Sequence, residues 1–129
     1  VEAFLSYDYV GAPWVEGPGN EYLKSKVNFN MVGNGGLSLR SVQAMMDITS
    51  TFQEEKHWTF YYNLVKIPED VYFVKCMCST GKYALPTSQQ ASNFAMEQIY
   101  NPTTLGVHKC WAYLPPNQDQ DFFDSLLSK

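Results

Sequence analysis

The feature that most constrains this chain is the run Gly33-Asn34-Gly35-Gly36-Leu37-Ser38-Leu39-Arg40. Three glycines in four residues let the backbone make tight turns and come closer to a neighbour than any side chain allows. Upstream, Val27 to Val32 has strand character. Downstream, Ser38 or Ser41 can cap a helix in which Val42, Met45, Met46 and Ile48 fall on one face, with Gln43 and Asp47 outside. The spacing therefore predicts a strand, a glycine turn and a helix, with free N–H groups where a ligand could meet them. It is not a dinucleotide fingerprint. The third glycine position holds Ser38, and no acidic residue follows about 20 residues later at the end of a second strand. Arg40, the only arginine, can pair with a carboxylate or fix an anionic or hydroxyl-rich ligand beside the turn.

Elsewhere short strands alternate with helices, which makes the class α/β or α+β. Tyr7 to Val10 reads as a strand that stops at Gly11-Ala12-Pro13, and Glu16 to Lys26 reads as an exposed loop. Residues 50–66 are mixed and aromatic and take no clear assignment. Pro68-Glu69-Asp70 is a helix start, because Pro suits the first turn and carboxylates complement the N-terminal dipole. Val71, Val74, Cys78 and Met77 supply its buried stripe, and Gly81 its C-cap. Ala84-Leu85 is a short strand, Ser88 to Asn93 a turn or short helix, Phe94 to Glu97 a strand, and Gly106 to Tyr113 a strand carrying His108. Asp119 to Leu127 forms a terminal helix after Pro115-Pro116.

With 129 residues the chain is one domain or part of one. It opens on Val1 and residues 1–5 already read as structure, so it is read as an internal piece of a longer protein. A hydrophobic share of 45% excludes a disordered tail. The net charge of -4, with Lys24, Lys26, Lys56, Lys66, Lys75 and Lys82 scattered, argues against nucleic acid. No apolar run approaches the roughly 20 residues of a membrane span. An odd cysteine count, Cys76, Cys78 and Cys110, and the lack of an Asn-x-Ser/Thr acceptor point to a reducing, cytoplasmic compartment.

Four segments could carry chemistry. Besides the glycine run, Glu69 or Asp70 at a helix start could take a proton from a hydroxyl nucleophile, although plain N-terminal capping explains both. In His108-Lys109-Cys110-Trp111 a neutral imidazole can ligate a divalent metal and a lysine can meet phosphate, whereas a half-buried strand histidine is the plainer reading. Cys76, Cys78, His108 and Cys110 together have the stoichiometry of a structural zinc site, but two cysteines two apart on a helix diverge by about 200°. In Tyr7-Asp8-Tyr9-Val10-Gly11-Ala12-Pro13-Trp14, rings beside polar groups match what a sugar site uses, or they simply pack in a core.

The order of these segments carries a resemblance. Tyr-Asp-Tyr-Val-Gly-Ala-Pro-Trp (7–14), Val-Gly-Asn-Gly-Gly-Leu-Ser-Leu-Arg-Ser (32–41), Pro-Glu-Asp-Val-Tyr-Phe (68–73), Ala-Ser-Asn-Phe-Ala-Met-Glu (91–97) and Gly-Val-His-Lys-Cys-Trp (106–111) resemble a family of GT-A-like glycosyltransferases of bacteria and large algal viruses, over residues 4–114. The resemblance implies an α/β fold with a GT-A-like mixed sheet flanked by helices, of which this chain is similar to the C-terminal, acceptor-side portion. The nucleotide-binding half, with its strand-borne Asp-x-Asp motif, would come from the same or another chain.

The resemblance further implies a metal-dependent transferase, using Mn2+ or Mg2+, that moves a sugar from a nucleotide-sugar donor to a glycan or other hydroxyl acceptor. Gly35 and Gly36 would line the floor of the sugar site. Asp70 would be the base of an inverting reaction, with Glu69 as its alternate. His108 would complete the metal shell, and Lys109 would touch the diphosphate, with Cys110 standing where proline is expected. Trp14 and Trp111 would be platform or wall residues. Two competitors belong to other classes: a non-catalytic carbohydrate-binding module or pseudoenzyme, which needs no metal, and a zinc-stapled interaction domain.

Overall fold

The computed structural model describes residues 1–15, 32–52, 61–62, 65–66 and 68–128. The loop expected over Glu16 to Lys26, most of the strand expected from Val27, and much of the unassigned stretch 50–66 lie outside these residues. The described elements mix helices with short strands, as α/β patterning predicts. A 3-10 turn (Glu2–Phe4) leads to β1 (Tyr9–Pro13), β2 (Val32–Arg40) and α1 (Val42–Thr51). Two short strands, β3 (Tyr61–Tyr62) and β4 (Val65–Lys66), precede α2 (Glu69–Thr80). Then come α3 (Ser88–Phe94), β5 (Ala95–Met96), β6 (Gly106–Val107), α4 (Cys110–Tyr113) and α5 (Pro116–Leu127).

β1 pairs antiparallel with β2, β3 with β4 likewise, and β5 runs parallel to β6. All five residues of β1 are buried. Tyr9 faces a core with Val32, Ala44, Ile48, Val74, Met77 and Ala91, which joins β1 and β2 to α1, α2 and α3. Its neighbour Val10 enters a second core with Ala12, Phe94 and Ala95, as the two-residue period of a strand requires. Met96, Cys110 and Leu114 make a third.

Several sequence expectations change here. The strand does not stop at Gly11; β1 runs on through Gly11-Ala12-Pro13. The glycine run does not end a strand either. Tyr9, Val10 and Gly11 pair with Arg40, Leu39 and Ser38, but Ala12 and Pro13 pair with Gly33 and Val32. Residues 34–37 therefore drop out of the ladder in mid-strand, an irregular bulge rather than a strand-to-helix turn.

Ser41 caps α1 by accepting from Ala44 N–H, as predicted. The expected apolar face is only half right, because Ile48 is buried and Met45 packs against the core while Val42 and Met46 are exposed and Ala44, not expected there, is buried. Helix α2 begins and ends where the sequence places it. Pro68 precedes Glu69 and Asp70, Val71, Val74 and Met77 are buried, and Gly81 closes it at φ 67° with its N–H donating to Met77 C=O. Truncating Met77 to Ala should cost about 2–5 kcal/mol.

Ala84-Leu85 is not a strand. The segment predicted as a strand from Gly106 to Tyr113 is strand only over Gly106–Val107 and then turns through Lys109, at φ 46°, into α4. The terminal helix starts earlier than expected, at Pro116, the favoured residue for a first turn. Among the described residues no helix is long and apolar enough to cross a membrane.

Candidate functional site

The bulge at residues 34–37 leaves backbone N–H groups that the β-ladder does not use, and Asn34 gathers them. Asn34 sits in the left-handed region at φ 83°, which short amide side chains tolerate better than most. Its Oδ1 accepts from Gly36 N–H at 2.8 Å and from Leu37 N–H at 3.2 Å. Asn34 is only 3% exposed, and its Nδ2 has no hydrogen-bond partner among the described residues. A buried, unused donor of this kind is costly unless something polar meets it.

Asp70 holds the same turn through the Asn34 backbone. At the start of α2, its Oδ2 accepts from Asn34 N–H at 3.2 Å and its Oδ1 from Val71 N–H at 2.8 Å. A carboxylate oxygen can accept more than one hydrogen bond.

His108 reaches the turn from β6. Its backbone N–H donates to Met96 C=O at 2.9 Å, which continues the parallel pairing of β5 and β6. A Cβ placed on Gly36 would lie 2.6 Å from His108 Nε2, 2.9 Å from Cδ2 and 3.3 Å from Asn34 Oδ1. The imidazole thus occupies the space a side chain at residue 36 would need. Its other nitrogen, Nδ1, lies 3.0 Å from Oε1 of Glu97, a carboxylate that is almost fully buried. Asp70, Asn34, Gly36, His108 and Glu97 are linked in one chain of contacts.

Glu97 and Asn34 were missed as site residues by sequence reasoning. Glu97 was only the end of an expected strand, and Asn34 was read as one of the turn residues. The available signal was position. Glu97 follows β5 as His108 follows β6, so parallel pairing sets them side by side.

The remaining predicted residues do not join this cluster directly. Glu69 is exposed and its Oε1 lies 2.9 Å from Arg40 Nη2. Arg40 also donates from Nε to Ser38 Oγ at 3.0 Å and lies over the Tyr9 and Phe73 rings, at 4.9 and 5.9 Å. Arg40 is therefore committed to protein partners rather than presented to a ligand. Burial pushes the Tyr9 phenol above its ordinary range despite that guanidinium.

Trp14 is buried, and its indole occupies the space of a Cβ on Gly33. It supports the bulge as a wall and is not an exposed platform. Trp111, 66% exposed, does offer an open ring. Lys109 is exposed at the turn into α4. Gly35 lies within β2, between Asn34 and Gly36.

His108 Nε2, with Nδ1 committed to a carboxylate, has the chemistry of a divalent-metal ligand. Mn2+ or Mg2+ there would polarise phosphate oxygens. Among the described residues no three His, Cys, Asp or Glu side chains gather into a metal-holding group. The four candidate zinc ligands, Cys76, Cys78, His108 and Cys110, are not gathered into one: none of the three cysteines is in a disulfide, and Cys76 and Cys110 are buried in separate cores. An Asp-x-Asp triplet, Asp119-Gln120-Asp121, does occur, but inside α5, where positions two apart are separated by about 200°.

No curated protein and no solved structure matches the chain. A family model described as a protein of unknown function (DUF5672) matches residues 1–108, which take in the bulge, α2, Glu97 and His108. The chain belongs to that family.

Proposed function

We propose that this chain is the acceptor-side portion of a GT-A-like, metal-dependent glycosyltransferase that uses a nucleotide sugar, with a nucleotide-binding half supplied by the same or another chain. The observation that carries it is that Asp70 and His108 both reach one glycine-rich bulge, Asp70 at Asn34 N–H and His108 at Gly36.

Sugar transfer needs two groups on opposite sides of an anomeric carbon. A base must take the proton of the attacking hydroxyl, and a positive centre must neutralise the leaving diphosphate. Asp70 is the base in this reading. Glu69 is the weaker candidate because Arg40 already engages it. His108 Nε2 would hold the metal, which when bound would neutralise charge on the leaving diphosphate. Lys109, next in sequence and exposed, is available to the diphosphate. The unpartnered Nδ2 of Asn34 supplies a donor to a sugar hydroxyl, and the absence of a side chain at Gly36 lets the His108 imidazole stand against the bulge.

The test is nucleotide-sugar turnover by the complete enzyme. Asp70→Asn should cut turnover by about 10²- to 10⁴-fold and leave nucleotide binding intact. Turnover at the parent rate removes Asp70 as base, and turnover that persists after chelation removes the metal.

A further inference from the structure

Glu97 is a buried carboxylate with a defined partner and no part in the reaction outlined above. Only 6% of the residue is exposed. It leaves β5 at the position next to Met96, and His108 leaves β6 next to Val107, which pairs with Met96. The parallel register delivers the two side chains to one another, with 3.0 Å between Glu97 Oε1 and His108 Nδ1. A carboxylate removed from water needs a donor, and an imidazole N–H is the donor it faces. When Nδ1 carries that proton, the neutral ring keeps its lone pair on Nε2. Nε2 is the nitrogen that stands against Gly36.

We propose that Glu97 is a positioning residue that holds His108 in the Nδ1–H tautomer, with its ring turned so that the Nε2 lone pair faces the Asn34–Gly36 bulge. The use of that lone pair on a metal rests on the function proposed above; the tautomer does not. Carboxylates behind metal-binding histidines act this way, fixing ring orientation and raising ligand basicity, and their loss weakens metal binding by about 10- to 100-fold. The competing explanation is a structural pair that joins β5 to β6. It requires the hydrogen bond for stability and is indifferent to Mn2+.

The experiment uses the 129-residue chain with 15N-labelled histidine. There are two histidines, and a His57→Gln variant assigns the ring signals of His108. Long-range 1H–15N spectra are recorded where the His108 ring signals no longer change with rising pH. The parent should show a protonated Nδ1 and an unprotonated Nε2. Glu97→Leu, which removes the acceptor, should shift His108 toward the Nε2–H form that an unconstrained imidazole favours, whereas Glu97→Gln, whose amide oxygen can still accept from Nδ1–H, should shift it less. Mn2+, added alone and read by broadening of the same signals, should bind Glu97→Gln about 10- to 100-fold more weakly than the parent.

An unprotonated Nδ1 in the parent, or an unchanged tautomer in Glu97→Leu, overturns the proposal; the parent's own tautomer keeps it testable if Glu97→Leu does not fold. If the tautomer responds as expected but Mn2+ leaves the parent's ring signals sharp, the positioning role stands and the metal role of His108 falls.

Discussion

The backbone N–H of Asn34 donates to Asp70 Oδ2 at 3.2 Å, across 36 residues of sequence. The residue best suited to act as a base is therefore also a clamp on the glycine-rich bulge. Chemistry and support can be separated by the choice of substitution. Asp70→Asn keeps an oxygen that can accept from Asn34 N–H, whereas Asp70→Ala leaves that half-buried donor unpaired. The alanine variant should lose about 1–3 kcal/mol in denaturant melts, while the asparagine variant should lose less than half as much and still be inactive. Equal stability of the two variants would show that the clamp contributes nothing.

Glu69 sits one residue away and should behave differently. Its pair with Arg40 is exposed on the carboxylate side, and such pairs contribute about 0–1 kcal/mol. Glu69→Gln should therefore shift the melting temperature little and leave turnover within a few-fold of the parent. Arg40→Ala should cost more, because the guanidinium also covers the Tyr9 and Phe73 rings and holds Ser38. A loss of turnover in Glu69→Gln as large as that in Asp70→Asn would transfer the base to Glu69.

Gly33 and Gly36, which bracket Asn34 and Gly35, should fail in different ways. A Cβ on Gly33 collides with the buried indole of Trp14, which has no room to retreat, so Gly33→Ala should be strongly destabilised, by about 1–3 kcal/mol or more. A Cβ on Gly36 meets the His108 ring, which is partly exposed and can move. Gly36→Ala should fold and show altered His108 ring shifts and about tenfold weaker Mn2+ binding. Similar melting temperatures for the two alanine variants would contradict this division.

What could be read in the sequence was the local chemistry of chain ends and caps. Pro68, the two carboxylates after it, Gly81 and Ser41 mark helix boundaries through backbone constraints that act within a few residues. The bulge could not be read that way. Nothing local says that Ala12 should pair with Gly33 after Gly11 has paired with Ser38, because that register is set by packing Trp14 on Gly33 and by Asp70 holding Asn34. The same holds for Val42 and Met46, which fit a helical stripe but lie on its exposed side. Asp70 and His108 were singled out because their residue types suit proton transfer and metal binding. Glu97 was not, since its partner lies on another strand and only the parallel register brings them together.

The buried thiol of Cys76 gives a prediction that depends on neither function nor metal. Burial pushes it up to about 11 from an ordinary value of 9.0, against a weaker opposing hydrogen bond from Tyr72. The folded state thus holds its proton where the unfolded chain releases it. Stability attributable to this group is fully present below pH 9 and is lost as pH rises toward 11, on the order of 2 kcal/mol. Burial likewise pushes the Tyr72 phenol up to about 12, which extends the decline further into alkali. Melting temperature should accordingly fall between pH 9 and 11 at constant ionic strength. In Cys76→Ala the curve should start lower, because a small cavity is created, but fall less steeply over that interval. Parallel curves for the two proteins would mean that the thiol ionises alike in both states, and that the core around α2 opens before pH 9.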